Sequence, residues 1–330
     1  MFFLFFIQSF SLFYPQDGKI MIVSQQKIMK KTYHLCLSGG DEVLFRQEED
    51  YVRGINCLCL ATHSTGSSLL AYAFMSNHAH IAVRTEDPDK LMKAFRYPYN
   101  RYFNSKYGRR GRIGEERFFC IEVNGLFHLL TAISYILRNP LHHGVSATPF
   151  GYRYSSISAL FRTELGHIEK SDLMPEKWHY LYLPFERKLP AGFKMDRTGL
   201  ILPESVIDVV DIEHQFSTAR TFLYYMNRIS GEKWEKEQLN DNTDAPPVTL
   251  DIIEKGVRCQ DIKVLLNNEH GRANYNSISD IQLCREIDAA VSGGSIYKTS
   301  GYELHKSAKL LANKFHASSE QIRRCFGGLI

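Results

Sequence analysis

Two histidines separated by one residue are the first side chains in the sequence that could do metal chemistry. His78 and His80 flank Ala79 in the stretch LAYAFMSNHAHIAV, where the alternation of neighbouring residues is typical of a strand. Because successive strand side chains point to opposite faces, both imidazoles project from one face and could share an ion. The chain has 13 histidines, so this spacing alone is weak evidence. Two satisfied histidines on a sheet face are the alternative.

A tyrosine and an asparagine form the second candidate pair. Tyr135 and Asn139 lie four residues apart in a predicted helix, and positions i and i+4 share one helix face. A phenol and an amide therefore point the same way. A tyrosine in an amphipathic helix is more often a core residue, and that interpretation stays open at this stage.

Basic residues are concentrated in one part of the chain, although the formal net charge is only +4. Within residues 93–117 they are Lys93, Arg96, Arg101, Lys106, Arg109, Arg110, Arg112 and Arg117. The aromatic residues between them are Tyr97, Tyr99, Tyr102, Phe103 and Tyr107. Cations that follow phosphates and rings that stack on unpaired bases indicate binding of single-stranded nucleic acid. A solvated charged helix with its aromatic residues in the core is the alternative.

The C-terminal stretch Leu304–Phe326 predicts a helix-turn-helix. Ser318 would cap its second helix, which we expect to expose side chains that reach base edges. These are Gln321, Arg323 and Arg324. Helical pairs are also common in proteins that do not bind DNA.

The elements that must position these residues follow from periodicity and from turn signals. Strands are predicted at Tyr33–Leu37, Leu69–Phe74, His78–Val83 and Arg117–Val123, and helices at Glu48–Ala61, Pro88 to about Tyr107, and Leu126–Leu137. We expect Asn139-Pro140 to end the last helix. The order β-α-β-β-α-β-α, with a short Met75–Asn77 turn, predicts an α+β fold with a ferredoxin-like antiparallel sheet.

Four regions are predicted along the chain. They are a tail (1–30), a catalytic domain (31–165), an extension with a helix (166–240) and a helical C-terminal domain (249–330). Gly151–Pro203 is expected to wrap the core, and Ser205–Met226 to be helical. Asp241–Val248 resembles a linker in composition, and a helix is predicted from Leu250 to about Asn268.

Composition excludes several classes of protein. With 44% hydrophobic and 23% charged residues, the 330-residue chain is not expected to be disordered. Its seven cysteines form no C-x-x-C pair, which argues against a disulfide framework or a zinc finger and favours buried thiols in a cytoplasmic protein. The apolar first sixteen residues lack a basic n-region and are too short for a membrane span, so we expect a tail or a mis-assigned start.

Several blocks together resemble the single-tyrosine HUH transposases, in particular the REP-associated tyrosine transposases of the IS200-like family. The resemblance covers about Tyr33 to Leu160, near half of the chain, with the blocks in the order of the family. The blocks are Leu70–Val83, Tyr102-Phe103-Asn104, Tyr107–Gly111, Glu116-Arg117-Phe118, Tyr135–Pro140, Gly144-Val145 and Tyr154-Ser155-Ser156.

The resemblance implies a mechanism and a set of partners. His78, His80 and the Asn139 amide would hold Mg²⁺ or Mn²⁺, and Tyr135 would attack DNA to form a covalent 5′-phosphotyrosine. Single-stranded or hairpin DNA would be the partner, and a monomer or a homodimer would fit. The histidine pair is then expected to face a DNA groove and to contribute little to the core.

This sequence departs from the family pattern at four places. Ser76 stands where proline is usual, Ala79 is small for its position, and Asn139 replaces a glutamine ligand. Gly39-Gly40 replaces a more basic stretch near the first strand. Two other functions stay open: a domesticated DNA-binding protein without turnover, and a metal-dependent hydrolase that uses the histidine pair with water.

Overall fold

The first 142 residues contain the sheet of the protein and the three helices that flank it. The structure, a computed structural model, describes residues 29–166, 172–186, 188–257, 263, 266–267, 278–291 and 295–330. The elements are β1 (Lys31–Ser38), α1 (Glu48–Ser64), β2 (Ser68–Phe74), β3 (His78–Thr85), α2 (Pro88–Tyr107), β4 (Phe119–Glu122) and α3 (Leu126–His142). The predicted β-α-β-β-α-β-α order is confirmed, and the predicted tail lies mostly outside the described residues.

The four strands form one antiparallel sheet in the order β2-β3-β1-β4. In the central pair of strands, Cys36 of β1 lies opposite His80, and Ser38 lies opposite His78. The two faces of the sheet carry separate cores. Ile81 and Val83 pack in the core shared with α1 and α2, whereas Ala82 packs in the core shared with α3. The fold class is therefore α+β, with helices on both faces.

Helix α3 does not end where the sequence predicted. It continues through Pro140 to His142, although proline has no N–H to donate and a proline inside a helix costs about 3 kcal/mol. The buried side chains of Ile136 and Leu137 hold this turn against the sheet, and His143 N donates to Asn139 O at 3.1 Å. Tertiary packing therefore keeps Asn139 inside the helix.

Two other predicted elements differ from the structure. The predicted helix Ser205–Met226 is divided into α4 (Val209–Phe216) and α5 (Ala219–Asn227), because Ser217 has a positive φ and Thr218 caps the second helix. Strand β4 is shorter than the predicted Arg117–Val123.

The region after α5 contains two short helices that pack against α3. They are α6 (Trp234–Gln238), which the sequence did not predict, and α7 (Leu250–Val257). The rest of the predicted helix to Asn268 lies largely outside the described residues. The predicted linker is anchored at both ends: Asp241 accepts from two amides at the start of α3, and the amide side chain of Gln238 exchanges two hydrogen bonds with the backbone of Val248.

The C-terminal helices form a third core. They are α8 (Asp280–Ala290), which was not predicted, α9 (Gly301–Phe315) and α10 (Ser319–Cys325). The buried guanidinium of Arg46 joins this core to α1, because it pairs with Asp288 at 2.7 Å and donates to Cys325 O at 2.7 Å.

The segment before α4 packs against α1, as predicted for Gly151–Pro203. The Asn56 amide donates to Tyr182 O at 3.1 Å and to Gly199 O at 2.7 Å. Of the six cysteines within the described ranges, all are free thiols and only Cys120 is exposed. None of the helices in the described part of the chain has the length and apolarity needed to cross a bilayer.

Candidate active site

The two histidines of β3 lie side by side under α3. Both point to the α3 face of the sheet, and their ring centroids are 5.1 Å apart. Both side chains are completely buried, which contradicts the expectation that they face an open DNA groove. The cause is tertiary: α3 and the segments that follow it cover this face of the sheet.

Each of these imidazoles makes a hydrogen bond through its Nδ1 atom. His78 Nδ1 lies 3.0 Å from Asn77 Oδ1, and His80 Nδ1 lies 3.0 Å from His34 Nε2. Asn77 Oδ1 on one side and Asn139 Oδ1 on the other can each only accept, and a neutral imidazole donates to one of them. In the tautomer that donates from Nδ1 to Asn77, His78 Nε2 carries the lone pair. His80 Nε2 is buried and has no hydrogen-bond partner among the described residues.

Asn139 reaches His78 from the last turn of α3. Its Oδ1 lies 2.8 Å from His78 Nε2, and both side chains are completely buried. The two atoms are at hydrogen-bond distance, and an imidazole nitrogen and an amide oxygen are both atoms that could hold a divalent ion. Within the described ranges, no three His, Cys, Asp or Glu side chains are placed to hold a metal, so an ion here would need the Asn139 amide.

Tyr135 lies one helical turn before Asn139 and packs directly on the histidines. Its ring meets His80 edge-on at 5.2 Å between centroids, and it lies 5.0 Å from the ring of His142. The side chain is completely buried. Its hydroxyl donates to Glu254 Oε1 on α7. The centroid of the Trp234 ring lies 6.2 Å from that of the Tyr135 ring. The phenol is thus adjacent to the histidine pair, but covered.

Burial favours the neutral form of three imidazoles in this cluster, those of His34, His80 and His143. It lowers the pKa of His34 to about 3, with a smaller contribution from the charge of His128. Burial is also the main reason that the pKa values of His80 and His143 lie well below their usual range, and neighbouring histidines lower both further. Neutral imidazole is the form that binds metal ions.

Four residues of this cluster were not predicted from the sequence: His34, His142, His143 and Glu254. The His143 ring lies 4.7 Å from that of His78. His34 sits on β1 in the same alternation as Cys36 and Ser38, a signal that becomes useful only when the register against β3 is known. Glu254 gave no signal, because nothing in the sequence indicates that α7 lies on α3.

The predicted DNA-binding residues differ in how far their side chains are exposed. The exposed side chains are Lys93, Arg101, Arg110, Arg112, Arg117 and Arg323. Helix α2 lies on the sheet face opposite to Tyr135, so its exposed side is not adjacent to the candidate site. The loop after α2 comes closer, since Glu115 N donates to Ser38 O at 2.8 Å, and Ser38 pairs with His78.

The other basic residues of this region make contacts within the protein. The Arg96 guanidinium donates to three carbonyls of the loop 113–116, and Arg109 pairs with Glu42 at 3.1 Å. The Tyr102 hydroxyl and the Lys106 ammonium both bind the buried carboxylate of Asp50 at 2.8 Å. These side chains therefore contribute to folding.

The expectation for α10 is wrong for Gln321, whose side chain is 1% exposed. Its amide nitrogen donates to Ile278 O at 2.9 Å and to Asp280 Oδ1 at 3.0 Å. Arg324 is bound to the same Asp280 carboxylate at 2.9 Å. Asp280 also accepts from Ser76 Oγ at 2.5 Å, so this face of α10 is turned towards the strand-connecting turn before His78. Arg323 is exposed and pairs with Asp41.

Comparison with known proteins identifies no family for this chain. No protein family and no curated protein matches the sequence. The chain is similar to a solved structure described as the structure of the REP associates tyrosine transposase bound to a REP hairpin. That similarity has a TM-score of 0.34 and 14% identity, and it covers 44% of this chain and 86% of the other. At these values it carries no conclusion about activity.

Proposed function

We propose that this protein is a metal-assisted transposase of the single-tyrosine HUH type, which cleaves and rejoins single-stranded or hairpin DNA. The observation that carries the proposal is a convergence of four residues. His78, His80, Tyr135 and Asn139 come from two segments of the chain and meet on one sheet face, with His78 Nε2 2.8 Å from Asn139 Oδ1. The strand order β2-β3-β1-β4 supports the ferredoxin-like core that such enzymes have.

The residues present fit a divalent cation. His80 Nε2 is buried without a hydrogen-bond partner in the described part of the chain, and His78 Nε2 and Asn139 Oδ1 lie 2.8 Å apart on the same face of the sheet. Two imidazoles and an amide oxygen suit Mn²⁺ better than Mg²⁺, which prefers oxygen ligands. A bound ion would polarise the scissile phosphate and stabilise the charge that develops on it.

Tyr135 is the proposed nucleophile. Its Oη would attack phosphorus and lose its proton, while the bond from phosphorus to the 3′-oxygen breaks and that oxygen leaves with the electron pair and takes up a proton. The products are a 5′-phosphotyrosine and a free 3′-hydroxyl. Since the phosphotyrosine retains a phosphodiester bond, the 3′-hydroxyl of another strand can reverse the step and rejoin DNA.

The proposed DNA surface is the loop after α2, because it is the exposed basic segment adjacent to the strand end that carries His78. Arg110, Arg112 and Arg117 would follow phosphates there. Base stacking has fewer candidates than the sequence predicted. Tyr99, Phe103 and Tyr107 are buried, whereas 59% of Tyr97 is exposed.

The test is to trap a covalent adduct. The wild-type protein is incubated with a hairpin oligonucleotide and Mn²⁺, and a denaturant-resistant complex is sought on a gel. We expect Tyr135→Phe to abolish the adduct while the variant still binds the hairpin, because the attacking oxygen is lost together with its hydrogen bond to Glu254. Strand cleavage by Tyr135→Phe at the wild-type rate would contradict the nucleophile and favour a hydrolase that uses water.

A second function is favoured by one observation. Tyr135 has no exposed surface, which suits a DNA-binding protein that retains the fold without turnover. In that case wild-type protein binds the hairpin but forms no adduct and cleaves no strand.

A further inference from the structure

A third imidazole lies beneath the histidine pair. His34 on β1 is completely buried, and its Nε2 lies 3.0 Å from His80 Nδ1. His80 therefore matches His78, whose Nδ1 is held by Asn77 Oδ1 at the same distance. In both histidines, Nδ1 contacts a side chain that is not a proposed metal ligand, His34 or Asn77. Nε2 is the nitrogen that could bind the metal.

We propose that His34 is a positioning residue for His80, an inference that rests on the proposed function. It accepts the proton of His80 Nδ1–H, which fixes His80 in the tautomer whose Nε2 carries the lone pair. Without an ion, either direction of the hydrogen bond leaves one buried N–H and one buried lone pair without a partner, on His34 Nδ1 and His80 Nε2. A bound ion would favour one direction of the hydrogen bond between His34 and His80. Only when His80 Nδ1–H donates to His34 does His80 Nε2 have a lone pair for the ion.

Two substitutions at His34 test this role. His34→Gln keeps an acceptor oxygen near the position of Nε2, whereas His34→Leu fills the space without one. We expect His34→Leu to weaken Mn²⁺ binding roughly 10- to 100-fold, measured by calorimetry, and His34→Gln to restore most of it. Melting temperatures of the metal-free variants report folding. Folded His34→Leu that binds Mn²⁺ like the wild type would overturn the role.

A second measurement uses only the wild-type protein. Long-range ¹H–¹⁵N spectra of the Mg²⁺-loaded protein report which ring nitrogen of His80 carries hydrogen. We expect Nδ1–H, and an Nε2–H tautomer would overturn the proposal. A separate result would contradict the metal site itself. If the wild-type protein binds neither Mn²⁺ nor Mg²⁺ but still binds the hairpin, the metal site is wrong, and so is the role of His34.

An independent observation concerns the cover over Tyr135. The Tyr135 hydroxyl donates to Glu254 on α7, and 4% of Glu254 is exposed. The segment that carries Glu254 is bound to α3 near both ends of the helix. Asp241 accepts from Phe127 N and His128 N at 2.8 Å, and Ser230 Oγ lies 2.8 Å from His142 Nε2.

We infer that residues 230–257 form a lid over the candidate site, with Glu254 as its latch. A phosphate cannot reach Tyr135 Oη while α7 lies on it, so this closed arrangement does not react. Single-stranded DNA must displace α7 before attack, and the hydrogen bond to the Glu254 carboxylate opposes that opening. The competing role for Glu254 is to accept the proton of Tyr135 during attack.

The latch is tested with Glu254→Ala and with Asp251→Asn as a matched control, because Asp251 is exposed on the same helix. We expect Glu254→Ala to form the covalent adduct roughly 10- to 100-fold faster, since a hydrogen bond to a charged group opposes opening by that factor. Asp251→Asn should react at the wild-type rate. Slower adduct formation by Glu254→Ala would overturn the latch and indicate a proton acceptor.

Chemical labelling tests the lid without catalysis. Nitration of Tyr135 by tetranitromethane, followed by peptide mass spectrometry, reports exposure of the phenol. Glu254→Ala should raise the nitration rate of Tyr135, and Asp251→Asn should not. Equal nitration in both variants and the wild type would overturn the lid, whatever the outcome of the adduct assay.

Discussion

Because His78 and His80 are buried, replacing either of them should affect the stability of the fold as well as metal binding. A pair that faced an open groove would be dispensable for folding, as the sequence predicted. Instead His78 and His80 are completely buried and hydrogen-bonded. Their side chains therefore serve the fold as well as the proposed chemistry, and the two contributions need separate measurements.

We expect His80→Ala to lower the free energy of unfolding by roughly 2–3 kcal/mol without metal, because it leaves a cavity and removes the partner of His34. Mn²⁺ at 100 times its Kd should stabilise the wild type by about 2.7 kcal/mol and this variant much less. Urea unfolding with and without Mn²⁺ measures both. His214→Ala, at an exposed position, is the control. If Mn²⁺ stabilised His80→Ala as much as the wild type, His78 and His80 would be structural residues and not metal ligands.

The metal-free protein should lose stability as the pH falls below about 6.5. The pKa of folded His34 is about 3 because of burial, so the unfolded chain binds one more proton between these values. Each such proton lowers the free energy of unfolding by about 1.4 kcal/mol per pH unit. Burial lowers the pKa of His128 too, which adds a loss of the same sign. Urea unfolding at several pH values should give a shallower slope for His34→Gln; equal slopes would contradict this.

Helix α2 and the loop after it hold basic residues in two different environments. Its inward side supplies Tyr102, Lys106 and Tyr107 to the buried carboxylate of Asp50, which also accepts from the amides of Arg46 and Gln47 at the start of α1. The exposed Arg101 lies on the outer side of the helix, and the exposed Arg110, Arg112 and Arg117 lie after it. Basic residues that are near one another in sequence therefore have different environments.

A pair of substitutions separates these roles. We expect Lys106→Ala to destabilise the protein by about 2 kcal/mol, because the completely buried Asp50 loses a charged partner. Arg110→Ala should leave stability unchanged, since its side chain is exposed, and should weaken hairpin binding with a shallower salt dependence. Thermal unfolding and DNA titration at several salt concentrations measure both variants. If only Arg110→Ala lost stability, the assignment of Lys106 to folding and of Arg110 to DNA binding would be wrong.

At the scale of the whole molecule, the C-terminal residues pack on the sheet and its helices. Val248, Leu250 and Ile253 belong to the core that contains Tyr135. Farther along the chain, Asp280 and Asp288 bind Ser76 and Arg46 of the first region. The predicted boundary between a catalytic domain and a separate helical domain is therefore crossed by buried contacts.

Removing the chain beyond residue 248 should destabilise what remains, although every proposed ligand and the nucleophile precede it. The Arg46 guanidinium would lose both of its partners, and the α3 core would lose the apolar cover of Leu250 and Ile253. Circular dichroism and thermal unfolding of residues 29–248 measure this. A cooperative transition at the full-length melting temperature would show that the first region folds independently.

Local patterns determined a large part of the fold. The sequence indicated all four strands and the first three helices, because alternation and 3.6-residue periodicity reflect burial on one side of an element. The same periodicity placed His78 with His80, and Tyr135 with Asn139, on shared faces. The turn before His78 follows from local chemistry too, since a three-residue connection forces neighbouring strands to pair antiparallel.

Only the tertiary structure decided how these elements cover one another. The register of β1 against β3 brings His34 to His80, and no residue type encodes that register locally. The packing of α7 on α3 places Glu254 on Tyr135, 119 residues away in sequence. Packing also carried α3 past Pro140 and turned Gln321 inward, because burial and long-range hydrogen bonds outweighed local preference. The sequence by itself thus determined which residues can share a face, and the fold determined which of them are covered.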